Sequence, residues 1–208
     1  MNTAPEIPES FPGYEHIPRK WMRNLGTVVA RVVPGEFYVT AENEAIETVL
    51  GSCIACCIRD KVNGIGGLNH FMLPEITSRT YDGEGYGKMG DWAMEFLING
   101  ILLNGGERRN LEVKYFGGAQ LLAGLERSAI GERNIIFVQD YFRREKLSPI
   151  ASDIGGDTPR KVLYYPHTGR VRLKKLASAA ASRVASSEKS YAKKVNTEKL
   201  SAGSIDLF

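Results

Sequence analysis

Cys53 ends the run Thr48-Val49-Leu50-Gly51-Ser52-Cys53, and His70 follows seventeen residues later within Gly66-Gly67-Leu68-Asn69-His70-Phe71-Met72-Leu73-Pro74. A thiol just after a Gly-Ser turn, with an imidazole on the next apolar segment, is the pair that acyl transfer through sulfur requires. A free thiol has a pKa of about 8.5 and is mostly protonated at neutral pH, so an imidazole that takes its proton raises the population of the nucleophile. Gly51 lets a substrate carbonyl approach the backbone closely, and free N–H groups at such a turn can hold an oxyanion.

The same residues carry blander readings. Free cysteine is among the most buried residue types, and Cys56 and Cys57, inside Ile54-Ala55-Cys56-Cys57-Ile58, read as core. A zinc site built from Cys53, Cys56, Cys57 and His70 is disfavoured, because adjacent strand residues point to opposite faces and Cys56 and Cys57 cannot both close a tetrahedron. His16 lies in a proline-rich arm and His167 in a turn, where both read as solvated. Gly117-Gly118 lacks the Lys and Ser or Thr of a phosphate-binding loop and reads as a tight turn. Gln120 suits either a contact to a substrate amide or a surface position.

The elements that must position Cys53 and His70 follow from periodicity. Residues 27–30 and 36–39 read as short strands around Val33-Pro34-Gly35, and residues 46–50, 54–58 and 65–72 as strands on either side of the Gly-Ser turn. Met89, Trp92, Ala93, Phe96, Leu97 and Ile101 recur at helical spacing and predict an amphipathic helix over 87–103 that covers one face of the sheet. Residues 111–116 predict a strand, 119–126 a short helix, and 131–146 a second long helix with Ile135, Val138 and Phe142 on one stripe. Strands over 150–154, 161–165 and 171–173 complete the sheet, the last two as a hairpin through Pro166-His167-Thr168-Gly169.

At 208 residues and 43% hydrophobic, the chain can bury one good core, with tails on either side. Pro5, Pro8, Pro12 and Pro18 make residues 1–25 an extended arm, and residues 26–176 form the folded domain. Beyond Leu176 the composition turns to Ala, Ser and Lys, so residues 177–208 read as a flexible tail that cannot fold alone. Its apolar end, Ile205-Asp206-Leu207-Phe208, reads as a frayed terminus or a docking segment. The 27 basic and 24 acidic residues give a net charge of +3 with no block of like charge, which argues against nucleic acid as a partner. No apolar run approaches the roughly 20 residues of a membrane helix, and the polar N-terminus is unlike a signal peptide. Three closely spaced cysteines make a poor disulfide framework, so a reducing, cytoplasmic setting is expected.

Taken in order, Pro34-Gly35-Glu36-Phe37-Tyr38-Val39, Leu50-Gly51-Ser52-Cys53, the His70 segment, Phe116-Gly117-Gly118-Ala119, Ile130-Gly131-Glu132-Arg133-Asn134 and Asp153-Ile154-Gly155-Gly156 resemble the CheD family of chemoreceptor glutamine deamidases. The match extends to Val171-Arg172-Leu173 and covers about two thirds of the chain. The resemblance implies a single-domain α/β sandwich with mixed β-sheets and two long amphipathic helices, similar to the cytotoxic necrotizing factor-type deamidases. It implies hydrolysis of glutamine side-chain amides on methyl-accepting chemotaxis receptors, extending in some members to glutamyl methyl esters, with no cofactor and no metal. The family's nucleophile falls on Cys53 and its histidine on His70. Its third member, a threonine just upstream, falls on Thr48, and in the neighbouring register on Glu47. The resemblance also implies a second partner class, a CheC-type phosphatase bound by some members, and with it a competing reading of the chain as a non-catalytic adaptor.

Overall fold

In a computed structural model, which describes residues 5–73, 85–121 and 129–201, ten strands form two five-stranded sheets and three α-helices pack with them. The first sheet has the order β1 (Arg19–Met22), β2 (Thr27–Arg31), β4 (Ala45–Leu50), β9 (Arg160–Tyr165) and β10 (Arg170–Lys175). The second runs β3 (Phe37–Thr40), β6 (Gly66–Asn69), β5 (Ile54–Asp60), β7 (Leu111–Gly117) and β8 (Ala151–Ile154). Both are mixed, with β2 parallel to β4 and β7 parallel to β8 while the other neighbours are antiparallel. This is the mixed α/β sandwich that the family resemblance implies, with the strands divided between two sheets where periodicity alone suggested one. One core joins the sheets and helices: Cys57 and Leu68 of the second sheet share the face that looks toward Tyr164 of the first, while Ile54, Cys56 and Ile58 alternate onto the face covered by the helices.

Helix α1 (Gly85–Leu103) covers β3, β5 and β6, and α2 (Ala129–Arg144) packs against α1 and β5. In α2 the buried residues Ile130, Asn134, Phe137, Val138, Tyr141 and Phe142 recur every three to four positions, as one helical face requires. Glu132 in its first turn and Arg143 and Arg144 in its last complement the helix dipole. On α1 the buried stripe is Gly90, Met94, Leu97, Ile98 and Ile101, whereas Trp92 and Phe96, expected on it, are exposed. The cause lies at Gly90, where a Cβ would fall 2.3 Å from the Phe137 ring and 2.7 Å from Leu73: this close approach turns the neighbouring face, with Trp92 and Phe96, outward.

Two stretches differ from the elements read in the sequence. Arg19–Met22, within the segment expected to be an arm, pairs with β2, and Tyr14 and Ile17 before it are buried, Tyr14 edge-on to Phe37 and Tyr38. Residues expected as a tail form α3 (Ser178–Ser201), which lies beside the Gly51-Ser52-Cys53 turn. The short helix expected over 119–126 falls largely outside the described residues, as do Pro74 and the apolar end at 205–208. No helix among the described residues is long and apolar enough to cross a membrane.

Asp60 closes the β5–β6 hairpin at the end far from Cys53. Its fully buried carboxylate accepts hydrogen bonds from the backbone N–H of Val62, Asn63 and Glu107 and from the Asn63 and Asn110 side chains. Burial alone would raise this carboxyl, but the donors outweigh it and bring it down to about 2. Because the folded value lies below the ordinary carboxylate value, this stabilisation is complete above about pH 4 and is lost as pH falls toward about 2. Asp60→Ala strands several buried donors and is expected to cost about 3 kcal/mol in urea denaturation at pH 7, with the deficit shrinking at acid pH.

Candidate active site

The turn between β4 and β5 is held by its carbonyls. Gly51 O accepts from Ala119 N–H (2.7 Å), Ser52 O from the Asn134 side-chain amide (2.8 Å) and Cys53 O from Gly118 N–H (2.8 Å). Gly117 and Gly118 adopt φ of 120° and 70°, a conformation that favours glycine, and a Cβ on Gly117 would fall 2.0 Å from Cys53 O. The tight turn read at Gly117-Gly118 is therefore the clamp on the cysteine turn. With its carbonyls engaged on one side, the turn presents the N–H groups of Gly51, Ser52 and Cys53 together on the other, a backbone nest for negative charge.

His70 reaches this nest through the hairpin. Ile54 and Phe71 exchange both backbone hydrogen bonds, at 3.0 and 2.9 Å, which sets Cys53 and His70 on adjoining chains immediately before the bridge. The backbone of His70 is fixed on its other side by Glu36 O and Gly35 N–H. Its Nδ1 lies 2.7 Å from Thr48 Oγ1, which lies 2.8 Å from Val32 O. A carbonyl only accepts, so the Thr48 hydroxyl gives its proton to Val32 and its oxygen accepts from His70 Nδ1–H. That leaves Nε2 as the unprotonated nitrogen; it is buried and makes no hydrogen bond in the structure. Glu47, on the alternate face of β4, pairs with Lys161 at 2.6 Å instead.

A fourth group, on the segment read as a flexible tail, fills the nest. Glu188 of α3 accepts hydrogen bonds from Gly51 N–H (2.9 Å), Ser52 N–H (2.9 Å), Ser52 Oγ–H (2.8 Å) and Cys53 N–H (3.1 Å). The Cys53 sulfur, a His70 ring nitrogen and a Glu188 oxygen lie within 4.8 Å of one another, all three residues buried. Burial raises the Cys53 thiol well above its ordinary value, and the charge of Glu188 and its hydrogen bond raise it further. Burial lowers the His70 imidazole to about 4, against the opposing pull of Glu188. The pair therefore rests as neutral thiol and neutral imidazole.

The structure brings Cys53, His70 and Thr48 together and leaves Glu47 apart. Cys56 and Cys57 stay within β5, buried, and among the described residues the cluster that could hold a metal, Cys53, His70 and Glu188, contains neither. Asn134 and Asn69 also brace the site. Asn134 accepts from Leu73 N–H while donating to Ser52 O, tying the chain beyond His70 to the turn. Asn69 accepts from Cys56 N–H and donates to Ala93 O, joining β5 to α1. Glu188 had one sequence signal. Ala180, Val184, Tyr191 and Ala192 share its helical face and are partly buried, so a lone acid interrupts the stripe.

The CheD chemotactic sensory transduction model matches residues 72–175. The chain is 44% identical over 205 residues to the "Probable chemoreceptor glutamine deamidase CheD" of Saccharophagus degradans, covering 96% of this chain and 93% of that protein. It is 43% identical to the protein of that name from Halorhodospira halophila, over 100% of this chain and 97% of the relative. With the protein of that name from Hahella chejuensis it shares 41% identity over the full length of both. Near-complete coverage at this identity, on a chain whose motifs meet around one buried thiol, establishes that it belongs to the CheD family.

Proposed function

We propose that this chain deamidates glutamine side chains on chemoreceptors, with Cys53 as nucleophile, His70 as general base and then acid, and Thr48 as the group that orients His70. The observation that carries the reading is the directed chain from Val32 O through Thr48 to His70 Nδ1–H, which leaves Nε2 free to take a proton beside Cys53. The names of the relatives supply the substrate class. When a neutral carboxamide occupies the nest, His70 takes the thiol proton and sulfur attacks the amide carbon. The carbonyl oxygen gathers negative charge where the turn N–H groups converge. His70 returns the proton to nitrogen, the C–N bond breaks and ammonia leaves a thioester. Water, deprotonated by His70, cleaves the thioester to glutamate and free thiol. Glutamyl methyl esters would pass through the same thioester with methanol as leaving group. The setting is the cytoplasm, where receptor signalling helices lie and thiols stay reduced.

A non-catalytic adaptor would have no need of a tautomer-fixed imidazole beside a thiol, which favours the enzyme reading. The test is to incubate a receptor cytoplasmic fragment with the protein and follow ammonia and peptide masses. The expected result is stoichiometric ammonia with a gain of about 1 Da, the difference between –NH2 and –OH, at individual glutamines. Receptor bound without any mass change would leave the adaptor reading in its place.

A further inference from the structure

Resting on the deamidase reading, we propose that α3 is a built-in product mimic: it lies in the groove that receives the substrate helix, with Glu188 in the place of the glutamate that deamidation leaves. Glutamate and glutamine side chains have the same length and shape. The Glu188 carboxylate is held by the backbone N–H groups of Gly51, Ser52 and Cys53, the donors that serve the reacting carbonyl. It lies within 4.8 Å of both the sulfur and the imidazole. Its carrier is a helix, and the family resemblance implies that the receptor glutamines are carried on helices too.

The surface around Cys53 is shaped for a helix to come close. A Cβ on Gly51 would fall 2.8 Å from Glu188 Oε2 and 2.4 Å from Leu121, and one on Gly35 would fall 2.5 Å from Tyr191 Oη. Both glycines belong to the motifs that mark the chain, and α3 approaches both. The helix meets the groove through small or partly buried residues, Ala180, Val184 and Ala192 among them, so its backbone can lie near the turn. It does not fill the groove. Cavities of about 440 and 260 Å³ flank it, the first along Val33, Thr48 and Arg183, the second along Phe37, Trp92 and Phe96. Trp92 and Phe96 are 58% and 56% exposed at that edge, an apolar margin that a wider helical partner would cover.

The docked helix also keeps the thiol unreactive. Beyond the effect of burial, the Glu188 charge disfavours the thiolate. A neutral glutamine in the same nest lacks that charge. Only Leu176 and Ala177 join β10 to α3, so release is a pivot of the whole helix at that joint. A receptor helix competes with α3 for one groove, and activity on receptors is set by that competition.

The full-length Glu188→Gln variant tests the idea directly, since it places a carboxamide where the carboxylate sits. Residue 188 is expected to convert to glutamate in the purified variant, seen as a gain of about 1 Da on the peptide that carries it, and to remain glutamine in Cys53→Ala/Glu188→Gln. Glu188→Ala, which opens the nest, is expected to raise kcat/KM on a receptor fragment about tenfold or more and to speed alkylation of Cys53. Persistence of the introduced carboxamide in a Glu188→Gln protein that still deamidates receptor overturns the product-mimic inference and leaves the deamidase reading intact. Receptor activity in Glu188→Ala equal to or below that of the parent overturns the competition. Loss of conversion at both residue 188 and the receptor removes the deamidase reading, and the inference with it.

Discussion

Cys53→Ala is expected to lower ammonia release from receptor fragments by at least about 10³-fold while the protein stays folded. The size of the loss follows from the chemistry. Without sulfur there is no thioester, and water held by His70 alone must attack an amide, so only binding and the turn N–H groups still favour the reaction. The fold should survive, because the thiol stabilises no strand and the substitution removes one buried sulfur, worth about 1 kcal/mol. The turn is held by Ala119, Gly118 and Asn134 through backbone carbonyls that the substitution does not touch. Cys56→Ala and Cys57→Ala are the controls: each removes a sulfur buried in β5 and should lower the melting temperature by a few degrees while keeping kcat. A folded Cys53→Ala protein with full activity would overturn the nucleophile assignment. Equal losses in all three variants would mean that packing, and not chemistry, is being read.

What the sequence disclosed depended on how local each feature is. The nearness of Cys53 and His70 was legible because a hairpin brings its two arms together, and the β5–β6 pairing is short-range. Helices α1 and α2 were legible within two residues at each end, since their apolar spacing is a local signal. Strand β1 was not, because Arg-Lys-Trp-Met shows no alternation and is a strand only by pairing with β2. Helix α3 has few large side chains to betray a buried face, and alanine, the best helix former, carries it. The anchor of that helix is a carboxylate bound to N–H groups 135 to 137 residues away in the chain, a pairing that periodicity cannot express. The choice between Glu47 and Thr48 had the same character. Alternation says that they face opposite ways, but which faces His70 depends on the register of β4 between β2 and β9.

That register makes Thr48 the more informative residue to change. His70→Ala should cost about 10²–10⁴-fold in kcat, as loss of a general acid–base group does, and a structural role for the histidine predicts an equally large loss. Thr48→Val is sharper. Valine keeps the shape and the strand propensity, but it leaves Val32 O without a donor and His70 Nδ1–H without an acceptor. Losing that hydrogen-bond pair is worth about 1.4–2.7 kcal/mol, so kcat is expected to fall about 10–100-fold. The loss should lie in kcat with KM nearly unchanged, because Thr48 acts through His70 and touches no substrate. Thr48→Ser restores the hydroxyl and should recover most of the rate, which a packing defect would not allow. Glu47→Gln should stay within about twofold of the parent, since a carboxylate paired with the exposed Lys161 contributes little. The reverse pattern, with Glu47→Gln impaired and Thr48→Val active, would place the orienting role on the other face of β4 and overturn the hydrogen-bond chain drawn from His70 through Thr48 to Val32.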